Sequence, residues 1–145
     1  MKTKIIVSAV ALCLGWAAVA VAQDNPIAKR EQMMKEIGGS MASLAGIAKG
    51  DKPFDADVVR TALTTIHTNI KAFPDQFPDG SELNSAASPA IWDNNADFRA
   101  RAAKLEGEAG KILASMPADQ AGVQKAVQTL GSNCGACHQT YRLKR

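Results

Sequence analysis

At 145 residues, with 46% apolar and 21% charged side chains, the chain has the length and composition of one domain. It carries 17 Lys and Arg against 14 Asp and Glu, a formal net charge of +3. That near-balance, closer still once the first residues are removed, argues against nucleic acid or an anionic membrane surface as the main partner.

Residues 1–22 read as a cleaved secretory signal peptide. Lys2 and Lys4 form a positive start, Ile5 to Val19 is an apolar run, and Ala20-Val21-Ala22 is an A-x-A cleavage site before Gln23. Cys13 leaves with this segment, and Leu12 before it does not fit a lipidation signal. The polar Gln23-Asp24-Asn25 speaks against a retained membrane anchor. Export places the mature chain, residues 23–145, in a bacterial periplasm, with no second apolar run for membrane insertion. Removing Lys2 and Lys4 from the 17 basic residues leaves 15 against 14 acidic ones, a net charge of +1.

The mature chain divides into four helical stretches. The first opens at Asn25-Pro26, a cap followed by Pro at the first helical position. Ile27, Met34, Ile37, Met41, Leu44 and Ala48 then recur every three to four residues until Gly50. The second opens at Asp55, carries Val59, Leu63, Ile66, Ile70 and Phe73, and ends at Pro74. Residues 74–88, rich in Pro, Asp, Gly, Ser and Asn, form one long connection. Such a loop often has a task or crosses the end of a bundle. The third stretch opens at Ser88-Pro89 and carries Trp92, Phe98, Ala102, Leu105, Ala109 and Ile112. Pro117 breaks it, and the fourth runs to about Arg142. No segment alternates like a strand. The expected fold is all-α, an antiparallel four-helix bundle.

The last stretch carries the chemistry. Cys134-Gly135-Ala136-Cys137-His138 is a Cys-x-x-Cys-His motif, the attachment pattern of a c-type haem. Two thiols add across the two vinyl groups, and the adjoining imidazole becomes an axial iron ligand. On a helix these residues are i, i+3 and i+4, so they share one face, in phase with Val123, Val127 and Leu130. A redox dithiol would instead open a helix after a strand, and a zinc site would need four ligands. A plain disulfide leaves His138 unexplained. Aromatic residues are few, so a buried haem supplies core volume, and the chain without it is expected to fold poorly. Two haem propionates would bring the mature net charge to about −1.

With these features the chain resembles the class II c-type cytochromes, the cytochrome c-prime family. The likeness spans the mature chain. It rests on the motif at the end of the fourth helix, continued by Gln139-Thr140-Tyr141-Arg142, and on Pro89-Ala90-Ile91-Trp92 at the start of the third. Met33-Met34-Lys35-Glu36 and Ile47-Ala48-Lys49-Gly50-Asp51-Lys52-Pro53-Phe54 resemble the branch in which a Met of the first helix ligates a low-spin iron. The resemblance implies one haem c held by Cys134 and Cys137, with His138 proximal and Met34 distal. It also implies Arg30 toward a propionate, and a monomer or a homodimer.

Met34 shares an inward stripe with Ile37 and Met41, as a core-filling Met would also do. Met33 and Met41 are the other Met candidates. Arg30 lies one turn before Met34, where a solvated Arg at a helix start is the plain alternative. Arg142 lies one turn after His138 and suits a proximal role or simply a helix C-terminus. Tyr141 should pack near the proximal pocket, with its hydroxyl needing a partner if buried. His67 sits at the edge of the second stripe and reads as a boundary histidine. There is no Ser/His/Asp set, phosphate loop or apolar carboxylate pair, so no enzyme is indicated. Nothing near Met34 is a clear acid–base candidate, though Glu31 and Glu36 are on the same helix.

The expected function is single-electron transfer with transient redox protein partners. A low-spin iron ligated on both faces changes little on reduction. The alternative is a five-coordinate haem that binds nitric oxide or carbon monoxide, with Met34 merely roofing the site.

Overall fold

The computed structural model describes residues 25–144. The signal peptide assigned to residues 1–22, Cys13 within it, and Arg145 lie outside the described residues. No helix among those described is long and apolar enough to cross a membrane.

Helix α1 spans Pro26–Lys49. Asn25 caps it as the sequence indicates, its side-chain oxygen accepting from the amides of Ile27 at 3.1 Å and Ala28 at 3.2 Å. Gly50 stops it in the left-handed region, φ 81°, where its N–H reaches the Ile47 carbonyl. Helix α2, Ala56–Ala72, is capped by the Asp55 carboxylate on the amides of Asp57 and Val58. Pro74 ends the α-helix but not the turning of the chain. Phe73–Gln76 continue as one 3-10 turn, whose first residues need no N–H of their own.

The third stretch departs from expectation. It is two helices, α3 over Ala90–Asp93 and α4 over Asn95–Ala114, separated by Asn94 in a non-helical conformation (φ −131°, ψ 52°). Ser88 serves the start, its hydroxyl accepting from the Ala90 amide. At the break, the Asn94 carbonyl accepts from the Phe98 amide to open α4 and also lies 3.4 Å from the Tyr141 hydroxyl. A long-range side chain thus holds a turn that local pattern alone would have continued. Helix α5, Gln120–Tyr141, is capped by Asp119 on the Gly122 amide at 2.8 Å. Gly122 allows a close approach there: a Cβ would stand 3.1 Å from the Cβ of Pro117, which would have to give by a few tenths of an ångström.

Helix α1 packs on α2 and α5, and α4 packs on the same two, closing a four-membered antiparallel bundle with α3 across one end. Leu44, Val59, Leu63, Ile66, Ala109, Val123 and Leu130 fill its middle and are closed to solvent. The α3 end is different. Phe73, Phe77, Phe98 and Tyr141 meet edge-on or tilted there, with centroids 4.9 to 6.2 Å apart. The connection from α2 to α3 is tied to the tail, Ser88 N–H donating to the Tyr141 carbonyl and Leu143 N–H to that of Ala86.

Leu63 is 0% exposed in the tightly filled middle, away from the α3 end. Leu63→Ala is expected to cost about 2–5 kcal/mol, read by denaturant unfolding of the haem-loaded protein. A loss below about 1 kcal/mol would show that this layer is not closely packed.

Candidate functional site

The end of the bundle beneath α3 encloses a cavity of about 570 Å³. Its walls are largely apolar: Ile37, Ile70, Phe73, Phe77, Ile91, Phe98, Ala102 and Leu105. Helix α5 contributes Cys134, Cys137, His138 and Tyr141, and α1 contributes Arg30, Met34 and Met41. Ser85, Ala86 and Ala87 of the α2–α3 connection close one side, and Arg142 stands at the rim. The volume falls within the range of about 300–1,000 Å³ typical of pockets for organic cofactors.

The three motif residues share this cavity because their i, i+3, i+4 spacing turns them to one face of α5. Both cysteines are free thiols and half-buried. Burial pushes each thiol upward in pKa, so both are neutral at pH 7. At Cys137 the Arg101 charge opposes that rise and the Asp97 charge adds to it. His138 is open to solvent in the protein alone. Partial desolvation first, and the Arg142 charge second, lower its pKa. Its imidazole is therefore neutral at pH 7, the form with a nitrogen lone pair to give to a metal.

The methionines separate. Met34 and Met41 line the cavity, whereas Met33 is turned into the hydrophobic core and does not. Of the three methionines considered, Met33 is therefore out of place to act in the cavity. Glu31 reaches the cavity edge, while Glu36 is engaged outside with Gln32 and Asn69. His67 lies elsewhere, between α2 and α4, with Nε2 3.8 Å from Glu106. Trp92 packs its ring 5.8 Å from that of Phe77, and its Nε1 donates to the Pro78 carbonyl.

Arg30 is not the solvated helix-start arginine. It is 3% exposed. Nη1 donates to the Ser81 hydroxyl at 3.0 Å and the Gln76 carbonyl at 3.3 Å. Nη2 donates to the Ser81 carbonyl at 2.6 Å and the Ser85 hydroxyl at 2.7 Å. The guanidinium also stacks over Phe77, 4.6 Å from its centroid. All four oxygens are uncharged, and desolvation lowers the Arg30 pKa while leaving it cationic at neutral pH. One buried cation thus holds the loop that forms a cavity wall.

Tyr141 has the partner its burial requires. Its hydroxyl donates to Asp97 Oδ2 at 2.6 Å. Arg101 Nε donates to the same oxygen at 2.6 Å, and Arg101 Nη1 to the Ala136 carbonyl at 2.7 Å. Arg142 serves as the C-terminal cap, its amide on the His138 carbonyl. Sequence reasoning missed Ser81, Ser85, Asp97 and Arg101. The last two carried only the i, i+4 spacing of an ordinary surface pair, and the serines carried no signal.

These features define a helical bundle with an apolar cavity at one end, walled in part by its last helix and of a size that suits a prosthetic group. Residues 25–142 match the family model described as Cytochrome C'. A cytochrome c-556 of Agrobacterium tumefaciens (strain II Chrys) is 67% identical over 82% of this chain and 98% of its own. Another, from Agrobacterium fabrum, is 60% identical over 100% of this chain and 99% of its own. The solved cytochrome c' of Rhodopseudomonas palustris superposes with a TM-score of 0.80 at 31% identity, covering 85% of this chain and 99% of that one. The chain belongs to the cytochrome c' family, class II c-type cytochromes that are electron-carrying haem proteins.

Removing the Arg30 guanidinium should free the loop. In Arg30→Met, amide hydrogen exchange across residues 77–88 is expected to rise about ten- to a hundredfold, the loss of about 1.5–3 kcal/mol of charged hydrogen bonding. Exchange in the middle of α2 should not change. Unchanged loop exchange would show that backbone pairing to the tail suffices.

Proposed function

We propose that this chain is a periplasmic single-electron carrier with one covalently attached low-spin haem, held by Cys134 and Cys137, with His138 and Met34 as its axial ligands. The observation that carries the reading is the shared cavity: two free thiols and a neutral imidazole from α5 meet a thioether from α1 inside apolar walls. The relatives called cytochrome c-556 support it.

The donor set fits the group. Two neutral thiols at this spacing suit thioether formation, and the neutral His138 and Met34 are the ligand pair of electron-carrying cytochromes. When bound, haem supplies a one-electron iron couple. The chain does the rest. His138 and Met34 would hold the iron between them and leave no place for a substrate. Phe98, Ala102 and Leu105 exclude water from the cavity, which strengthens every charge interaction inside it.

Arg30 has given both terminal nitrogens to the loop. Its Nε–H would remain for a haem propionate, and its hydrogen-bond partners in the protein are all neutral. Arg142, at the rim and exposed, adds a second cation on the His138 side. The partners are other redox proteins, met through a small and transient contact. The periplasmic assignment rests on the signal-like residues 1–22.

Absorption spectra of the oxidised and reduced holoprotein, with and without carbon monoxide, test the ligand pair. Wild type should show a sharp reduced alpha band that carbon monoxide leaves unchanged. Met34→Ala should turn high-spin and bind carbon monoxide. If wild type already binds it and Met34→Ala changes nothing, Met34 only walls the cavity and the chain is a five-coordinate gas binder. Separately, Cys134→Ser/Cys137→Ser should release its haem on a denaturing gel, where wild type retains it.

A further inference from the structure

Beyond the assigned site, one face of α4 backs the Cys-x-x-Cys turn. Arg101 reaches across from α4 and donates Nη1 to the carbonyl of Ala136, between the two cysteines, at 2.7 Å. Its Nε donates to Asp97 Oδ2 at 2.6 Å, and Tyr141 donates its hydroxyl to that same oxygen at 2.6 Å. The guanidinium also lies over the Tyr141 ring, 5.4 Å from its centroid. Arg101 is thus fixed from three directions: by a carboxylate, a backbone carbonyl and an aromatic face.

A surface i, i+4 pair has no need of this. Such a pair is worth a few tenths of a kcal/mol and leaves both side chains loose. Here one member grips the turn that carries Cys137 and His138, and the other is gripped by Tyr141 at the end of the same helix. Both charges act on Cys137, in opposite senses.

We infer that Arg101 and Asp97 are positioning residues of opposite electrostatic sign, Arg101 raising and Asp97 lowering the reduction potential of the haem carried on α5. The inference rests on the reading of Cys134, Cys137 and His138 as the haem anchors. Reduction adds one electron to the iron, so a fixed positive charge nearby favours the reduced form and a fixed negative charge disfavours it. The two charges nearly cancel as a pair, so removing one exposes the other. Neither residue touches the cavity interior, so the effect acts through the turn and through space.

The test is spectroelectrochemical titration of holoprotein, with the visible spectrum recorded at each potential. Arg101→Gln should shift the midpoint down, and Asp97→Asn should shift it up. The double variant should return toward wild type. Arg101→Lys keeps the charge without the fork and should stay near the wild-type value. Shifts in the same direction for Arg101→Gln and Asp97→Asn, or none in either, would overturn the proposal. A fall in Arg101→Lys as large as in Arg101→Gln would also overturn it, by showing that only the grip on Ala136 counts. Wild type without covalent haem would instead refute the haem reading itself, and the spectrum reports that before any potential is measured.

Discussion

One end of this bundle cannot close on its own side chains. Along α5 the inward positions are Val123, Ala126 and Leu130, each buried against neighbouring helices. One turn later the same stripe offers Cys134, then Cys137 and His138, which are too small or too polar to fill the space between four helices. The hollow follows from that change of residue type on an unbroken helix. The other elements at this end answer it. The aromatic rings cluster around it, α1 turns two methionines toward it, and the α2–α3 connection bends over it.

A loop laid over an apolar hollow has few partners for its backbone. Arg30 supplies them, giving four donors to loop oxygens from a position where water is excluded. Burying an unpaired guanidinium is costly, and here the cost is offset by four hydrogen bonds and two aromatic faces. Its hydrogen-bond partners are all neutral, and the nearby carboxylates Glu31 and Glu82 favour the charge only through space, against the cost of burial. A cavity lined by such a cation favours an anionic group. The arginine thus has a structural task first, with one remaining N–H available for a ligand.

Much of this was legible in the sequence. Helix starts at Asn25 and Asp55, the stop at Gly50 and the shared face of the Cys-x-x-Cys-His turn are governed by interactions within a few residues. Such local signals survive in a string of letters. The break at Asn94 did not, because its second partner is Tyr141, 47 positions away. The loop role of Arg30 was hidden for the same reason, its partners lying 46 to 55 positions on. Polar contacts at such separation have no period and leave no pattern to read.

The methionines show where periodicity reaches its limit and where it holds. Met33 and Met34 are adjacent, and both follow Arg30 at a helical step, by three and four residues. Arg30 sits on the boundary between core and cavity, so neither step alone decides which methionine enters the hollow. The next positions do. Met34 continues through Ile37 to Met41, all on the cavity wall, while Met33 shares its burial with Ile37, Leu44 and Ile47 in the packed interior. A stripe of four residues separated by three or four fixed the phase to within one residue. Two stripes meet at Ile37, one filling the core and one facing the hollow, and a helix that borders both must carry both.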